Sequence, residues 1–202
     1  MGHINAALNA ADTLNIDQVH LMPCKIPPHK PVSVSEEHRV RMTELCCENN
    51  ARLVPELIEL SLPSPSYTVK TLRALKQQSK QSICFFIGAD SLYNLDKWFE
   101  WEQLLKYCHL VVMRRDSESF TPNDAISAWL NEYAANNAQI IHEQPSGSVI
   151  LVDTPLYPVS STDIRNVLRV GGRENNANTI NVNEWVPRNV LNYIAANQLY
   201  IS

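Results

Sequence analysis

The residues Ile83-Cys-Phe-Phe-Ile87, closed by Gly88-Ala-Asp90, limit the folds open to this chain more than any other stretch. The run is apolar throughout and too short for a helix. It therefore predicts a strand covered on both faces, the central strand of a parallel sheet between helices. Gly88 at its carboxyl end lets a ligand approach the backbone, because no Cβ stands in the way. Asp90 offers a carboxylate at the edge where open α/β sheets bind nucleotides. Ten residues past Gly88, Trp98 has a flat face suited to stacking an aromatic ring. The plainer alternative makes these residues a buried strand, a capping Asp and a core Trp.

Strand and helix alternate on either side of this run. Ile4, Ala7, Leu8, Ala11 and Leu14 lay one apolar stripe along a helix that begins at Gly2-His3. Residues 18–23 read as a strand stopped by Pro23. Prolines 27, 28 and 31 then hold a loop extended, presenting His29 and Lys30 as donors or as a solvated surface pair. Ser35 starts a helix with Glu36 and Glu37 in its first turn; Val40, Leu45 and Cys46 face the core. Its His38, Arg39 and Arg41 form a solvated edge, or one Arg reaches a phosphate. Residues 52–60 read as an edge strand interrupted by Pro55. A proline-bounded loop turns into a helix over 67–78. There Ser66 or Thr68 caps the helix, or the first amides and the Thr hydroxyl bind an anion.

Further on, the spacing predicts a helix over 101–108 and a strand over 110–113 ending at Arg114-Arg115, which are solvated or reach a polyphosphate. A helix over 125–135 and a strand over 148–152 follow. Ser160 three residues before Asp163 makes a capping box for a helix that buries Ile164, Val167 and Leu168 and stops at Gly171-Gly172. A last helix covers 186–194, with Pro187 near its first turn. The fold class is α/β, an open, mainly parallel sheet with helices on both faces. The 202 residues suffice for one domain with a sizeable core, its helical part running from about residue 160.

Charge narrows the partners. Seventeen Lys and Arg against 21 Asp and Glu leave −4, so no basic field points to nucleic acid or membrane. Five cysteines are odd in number and form no C-x-x-C pair; four sit in apolar patterns, which reads as buried reduced thiols in a cytoplasmic protein. No stretch approaches a membrane span, and residues 1–30 lack a basic-then-apolar leader.

Gly2-His3, Pro28-His-Lys30, Ser66-Tyr-Thr68, Ile87-Gly-Ala-Asp90, Trp98…Trp101-Glu and Ser160-Ser-Thr-Asp-Ile-Arg165 occur in an order and spacing that resembles bacterial nicotinate-nucleotide adenylyltransferases, nearly end to end. The resemblance implies a Rossmann-like nucleotidyltransferase fold. It implies an enzyme that joins the phosphate of nicotinate mononucleotide to the α-phosphorus of ATP, giving deamido-NAD and pyrophosphate with Mg²⁺. Gly2-His3 matches the second half of the family's H-x-G-H signature, which contacts ATP phosphates. Gly88 and Asp90 match the nucleotide site, and Ser160, Ser161 and Arg165 match the I-S-S-T-x-I-R helix start, with Val159 replacing the Ile. His3 and Arg165 are thereby the expected catalytic donors. Thr68 and neighbouring amides, among them that of Phe99, match the nicotinate-carboxylate site, and Trp98 matches the pyridine stack. His29 and Lys30 complete the expected mononucleotide contacts.

The family opens with a strand and G-G-T-F-D-P-x-H before the matched Gly-His, and this sequence begins after them. The expectation is therefore a fold whose first strand is missing, a natural start upstream of Met1, and weak stability and turnover for the 202-residue chain expressed alone. Three other readings compete. One is a nucleotidyltransferase of the same fold acting on phosphopantetheine or glycerol phosphate, which leaves a stacking Trp98 unexplained. Another is a nucleotide-binding module without catalysis; a third class, a purely structural α/β domain, leaves the ordered motifs unexplained.

Overall fold

The computed structural model describes residues 1–25, 34–115, 120–169 and 181–200. Helix α1 (Gly2–Thr13) forms where the apolar stripe predicts it and buries Ala7, Ala10 and Ala11. Strand β1 (Val19–Leu21), helix α2 (Glu36–Cys47) and strand β2 (Leu53–Pro55) follow, and β1 and β2 pair in parallel with Val19 opposite Leu53. The short α3 (Ile58–Ser61) and the amphipathic α4 (Thr68–Gln78) lead to β3 (Cys84–Gly88) and α5 (Ala89–Leu92). Two 3₁₀ segments, Leu95–Lys97 and Trp101–Lys106, precede β4 (His109–Arg115). Then come α6 (Asp124–Tyr133), α7 (Ile140–Glu143), β5 (Val149–Thr154), α8 (Ser161–Arg169), α9 (Val182–Trp185) and α10 (Arg188–Ala196).

Alternation along β3, β4 and β5 sorts the core into two layers. Phe85, Ile87, Leu110, Val112, Val149 and Leu151 face α4 and α6, where Val69, Leu72, Ile126 and Leu130 close the larger cluster. Cys84, Phe86, Val111, Ile150 and Val152 point the other way, onto Ala10 and Leu14 of α1 and its C-cap. The same helix turns Ala7 and Ala11 toward Val19 and Leu53 of the other sheet. Helix α1 thus spans both sheets, and its alanines allow that close approach. Helix α10 packs Val190 and Ile194 on Leu45 of α2.

Several expectations are corrected. The sheet is in two parts, β1-β2 and β3-β4-β5, all parallel. β3 is an edge of the three-stranded part, and β4 is its centre. An apolar run reports that both faces are covered, and helices cover the faces of an edge strand equally well; it carries no information about backbone pairing. The strand expected over 52–60 ends at Pro55; the Glu56 N–H still donates to the Leu21 carbonyl, and the chain then turns into α3. The segment after Glu100 is 3₁₀ rather than α. Trp101, Leu104, Leu105 and Cys108 meet the core at a spacing that an α-helix also satisfies, so the apolar pattern does not separate the two forms. In α2 Leu45 is buried as expected and Cys47 with it, while Val40 and Cys46 are half-buried. Helix α8 has no buried residue: Ile164, Val167 and Leu168 are half-buried, with Leu168 packed against the Leu45, Val190 and Ile194 cluster. The stop at Gly171-Gly172 lies outside the described residues. Arg41 pairs with Glu44 and Glu48 on the solvated edge of α2. Burial pushes the Cys84 thiol up to about 11 and the Cys108 thiol up to about 12, so both stay protonated and inert.

One buried group makes stability depend on pH. His109, fully buried in β4, accepts from the Ser148 N–H at Nδ1 (3.2 Å) and donates from Nε2 to the Gln144 carbonyl (2.9 Å). Only the neutral Nε2–H form satisfies both partners; a second proton would set one N–H against another. Burial holds its pKa below the ordinary 6.5. The unfolded chain therefore binds this proton more readily than the folded one, so the contribution is fully present above pH 6.5 and is lost as pH falls. Thermal melts at pH 7 and pH 5 should show a larger drop for the parent than for His109→Gln. Equal drops would rule this histidine out as the cause.

Candidate active site

Parallel strands put all their carboxyl ends on one edge, here Leu21, Gly88, Arg115 and Thr154, and ligands of such sheets bind beside that edge. Helix α5 starts there directly after β3, and α8 starts after the segment 155–160 that follows β5. Helices α1 and α4 deliver the chain to the opposite ends of β1 and β3, so their N-termini also return to it. From β1 the chain steps to β2 and then crosses to the second sheet at β3. The crevice between the two sheets, flanked by α1 on one face and α4 on the other, is the candidate site.

On the α1 side, two helix tips are packed together. A Cβ placed on Gly2 would lie 2.9 Å from Val159 Cγ1 and 3.5 Å from Tyr157 Cβ, so only glycine lets the start of α1 sit against the residue preceding Ser160. His3 is exposed in the first turn of α1, which carries no acid. The capping box forms as the sequence predicts. The Asp163 N–H donates to Ser160 Oγ (3.1 Å), while the Ser160 amide (3.2 Å) and hydroxyl both donate to the Asp163 carboxylate. The Ser160 hydroxyl proton is thus committed, and Ser161 is the exposed hydroxyl of this tip. One turn on, Arg165 Nη2 lies 3.5 Å from Thr162 Oγ1. Arg165 and Arg39 both draw the Tyr200 hydroxyl toward ionisation against the burial that pushes its pKa up.

At the carboxyl end of β3, a Cβ on Gly88 would meet nothing within 4 Å. Asp90, in the first turn of α5, is exposed. The open space at Gly88 suits a bulky ligand.

On the α4 side, neither Ser66 nor Thr68 caps the helix. Tyr67 holds the N-cap position in extended conformation without a side-chain cap, and the first turn contains no acid. The Tyr67 and Phe99 rings stack at 4.5 Å and 21°, leaving Phe99 45% exposed. Lys70 Nζ lies 5.0 Å from the Tyr67 centroid and 5.8 Å from that of Phe99. Trp98, half-buried beside Phe99, packs on the larger core cluster. Thr68, Trp98 and Phe99 are therefore grouped, and Tyr67 and Lys70 join them, two residues that their sequence context did not single out. His29 and Lys30 lie outside the described residues.

Two basic candidates are already occupied. Arg114 pairs with Asp153 at 2.8 Å, and Arg39 donates to the carbonyls of Cys24 and Lys25. Of Arg115 only its place in β4 is described. A 480 Å³ depression between α2 and α10 is lined by Glu36, Glu37 and Glu44, whose carboxylates suit it poorly to phosphates. Among the described residues no three His, Cys, Asp or Glu side chains group as metal ligands, and no helix is long and apolar enough to cross a membrane.

Comparison with known proteins places this arrangement. Residues 1–167 match the Cytidylyltransferase-like family. A Shewanella woodyi protein named "Probable nicotinate-nucleotide adenylyltransferase" is 37% identical over 98% of this chain and 92% of its own length. One of the same name from Psychromonas ingrahamii is 33% identical over 98% of this chain and 90% of its own. In fold, the chain resembles Plasmodium falciparum nicotinic acid mononucleotide adenylyltransferase complexed with NaAD, with a TM-score of 0.64 and 18% identity over 96% of this chain and 90% of that one. An end-to-end match of that identity, on a parallel α/β frame with two joined helix tips at its carboxyl edge, establishes that the chain belongs to the Cytidylyltransferase-like family and, within it, to the nicotinate-nucleotide adenylyltransferases.

Proposed function

We propose that this protein transfers the adenylyl group of ATP to nicotinate mononucleotide, forming deamido-NAD and pyrophosphate in NAD biosynthesis, as a single nucleotidyltransferase domain of the cytoplasm. The observation that carries the reading is the packing of Gly2 on Val159, which joins the start of α1 to the start of α8 at the edge where β3 opens at Gly88.

The attacking group is a phosphate oxygen, already ionised near neutral pH, so the reaction needs no general base. The leaving group is pyrophosphate, whose Mg²⁺ arrives with ATP as part of the substrate and offsets the charge that develops on it. The protein's task is to hold two anions in line and stabilise charge around the α-phosphorus. Gly2 and Ser161 contribute amide-rich helix tips, His3 a charge-assisted donor and Arg165 a bidentate one. Ser160 shapes its tip through Asp163 and offers no free hydroxyl proton. Gly88 leaves room for the nucleotide, with Asp90 at its border. Across the crevice, Trp98 stacks on the pyridine ring, Thr68 and the Phe99 amide take the carboxylate, and His29 and Lys30 supply further donors.

Incubation with MgATP and nicotinate mononucleotide should yield a dinucleotide and pyrophosphate in equal amounts. Hydrolysis of ATP without dinucleotide would overturn the proposal. Trp98→Ala is expected to raise KM for the mononucleotide about tenfold, the scale of one base–aromatic stack. KM for ATP should stay within about twofold, and equal rises in both would take Trp98 out of the pyridine site.

A further inference from the structure

We propose that Glu59 is a positioning residue for the mononucleotide half of the site, acting as a bridge that ties the backbone after β1 to the first turns of α4. The inference rests on the functional reading above and adds a residue to it.

Glu59 is 6% exposed, an unusual place for a carboxyl group unless donors surround it. They come from two separate parts of the chain. The Lys25 N–H donates to Oε1 at 3.0 Å, and the Thr71 hydroxyl donates to Oε2 at 3.2 Å. The Cys24 thiol also bonds this carboxyl, which together with burial pushes that thiol up to about 11. The same two loop residues are held from elsewhere: Arg39 of α2 donates to the carbonyls of Cys24 and Lys25, the latter at 2.8 Å, and Lys25 Nζ donates to the Leu62 carbonyl at 2.9 Å. Residues 24–25 are thus clamped between α2 on one side and α3 on the other.

Thr71 gives the bridge its functional direction. It is 1% exposed, and it lies one turn beyond Thr68 on α4, the helix that also carries Tyr67 at its cap. Its hydroxyl lies 3.4 Å from the Tyr67 carbonyl as well, so it reports on both the cap and Glu59. The α4 tip has no side-chain cap of its own to fix it. The carboxyl of Glu59 ties that tip to the chain leaving β1, and the Cys24 thiol adds a bond to Ser66 just before the tip. A shift of the tip would displace Thr68 from the mononucleotide while leaving α1 and α8, the ATP side, in place.

Three variants test this. Glu59→Ala removes both acceptors, and KM for nicotinate mononucleotide should rise about tenfold while kcat and KM for ATP stay within about threefold. Glu59→Gln should recover most of that loss. Its amide oxygen can take the Lys25 N–H, and its NH₂ can donate to Thr71 Oγ as the hydroxyl proton turns to the Tyr67 carbonyl. Thr71→Val, the milder change should Glu59→Ala fail to fold, should raise the same KM about threefold. A mononucleotide KM within twofold of the parent in all three would overturn the inference, as would equal losses for both substrates. If the parent itself makes no dinucleotide, the functional reading has failed. Amide exchange still tests the bridge in that case: Lys25 and the amides after Thr68 should lose protection together in Glu59→Ala and keep it in Glu59→Gln. Independent changes at the two places would overturn it.

Discussion

His3→Ala is expected to lower kcat by roughly two to four orders of magnitude, with a much smaller change in the affinity for ATP. On the proposed reading the bound triphosphate would keep its contacts with the amides of the α1 and α8 tips, so the ground state would lose little. The charge that builds around the α-phosphorus as the pyrophosphate departs would lose its proposed donor. His3 suits that role because it projects, exposed, from a helix start that bears no acid to compete for its proton. The α8 tip differs, since Asp163 already occupies it and absorbs the Ser160 donors. Single-turnover rates with saturating MgATP would separate the effects, and an unchanged kcat would remove His3 from the mechanism.

The second large effect is selectivity for the substrate. kcat/KM for nicotinate mononucleotide should exceed that for nicotinamide mononucleotide by about a hundredfold or more. Each donor that the bound ring shields from water and leaves facing an amide NH₂ would cost ~1–3 kcal/mol, and the proposed site has two such amides, near Thr68 and Phe99. The local electrostatics point the same way. The first turn of α4 has no acid, and Lys70 brings a cation over the Tyr67–Phe99 stack, so the helix tip and the ammonium both favour a carboxylate. A ratio within about threefold would mean that these donors do not read the carboxylate.

How much of this is legible in the sequence depends on the range over which each residue is determined. The capping box at Ser160 and Asp163 spans three residues and forms as expected, because its partners are local. The faces of β3 are likewise set by the residues within the strand. The pairing of β3 is set by strands far away in the chain, which is why a run that looks central lies at an edge. In the sequence, only the motif singles out Gly2. The reason it must be glycine is Val159, 157 positions distant, and no local signal reports that. Glu59 sits in a segment that reads as strand, and its role appears only when Lys25 and Thr71 close on it. The Tyr67–Phe99 pair is similar: 32 residues separate two rings that stack at 4.5 Å. Motif order identified the family, while the contacts that hold the site together needed the fold.

The central claim is that the α1 and α8 tips hold the adenylate half of one ligand while Trp98 and Thr68 hold its pyridine half across the crevice. A crystal structure of the enzyme with deamido-NAD tests it most directly. The account predicts diphosphate oxygens within hydrogen-bond reach of the Gly2–His3 and Ser161 region and a pyridine ring stacked on Trp98 with its carboxylate at Thr68. A dinucleotide bound with its pyridine away from Trp98, or with its phosphates away from both helix tips, would contradict it.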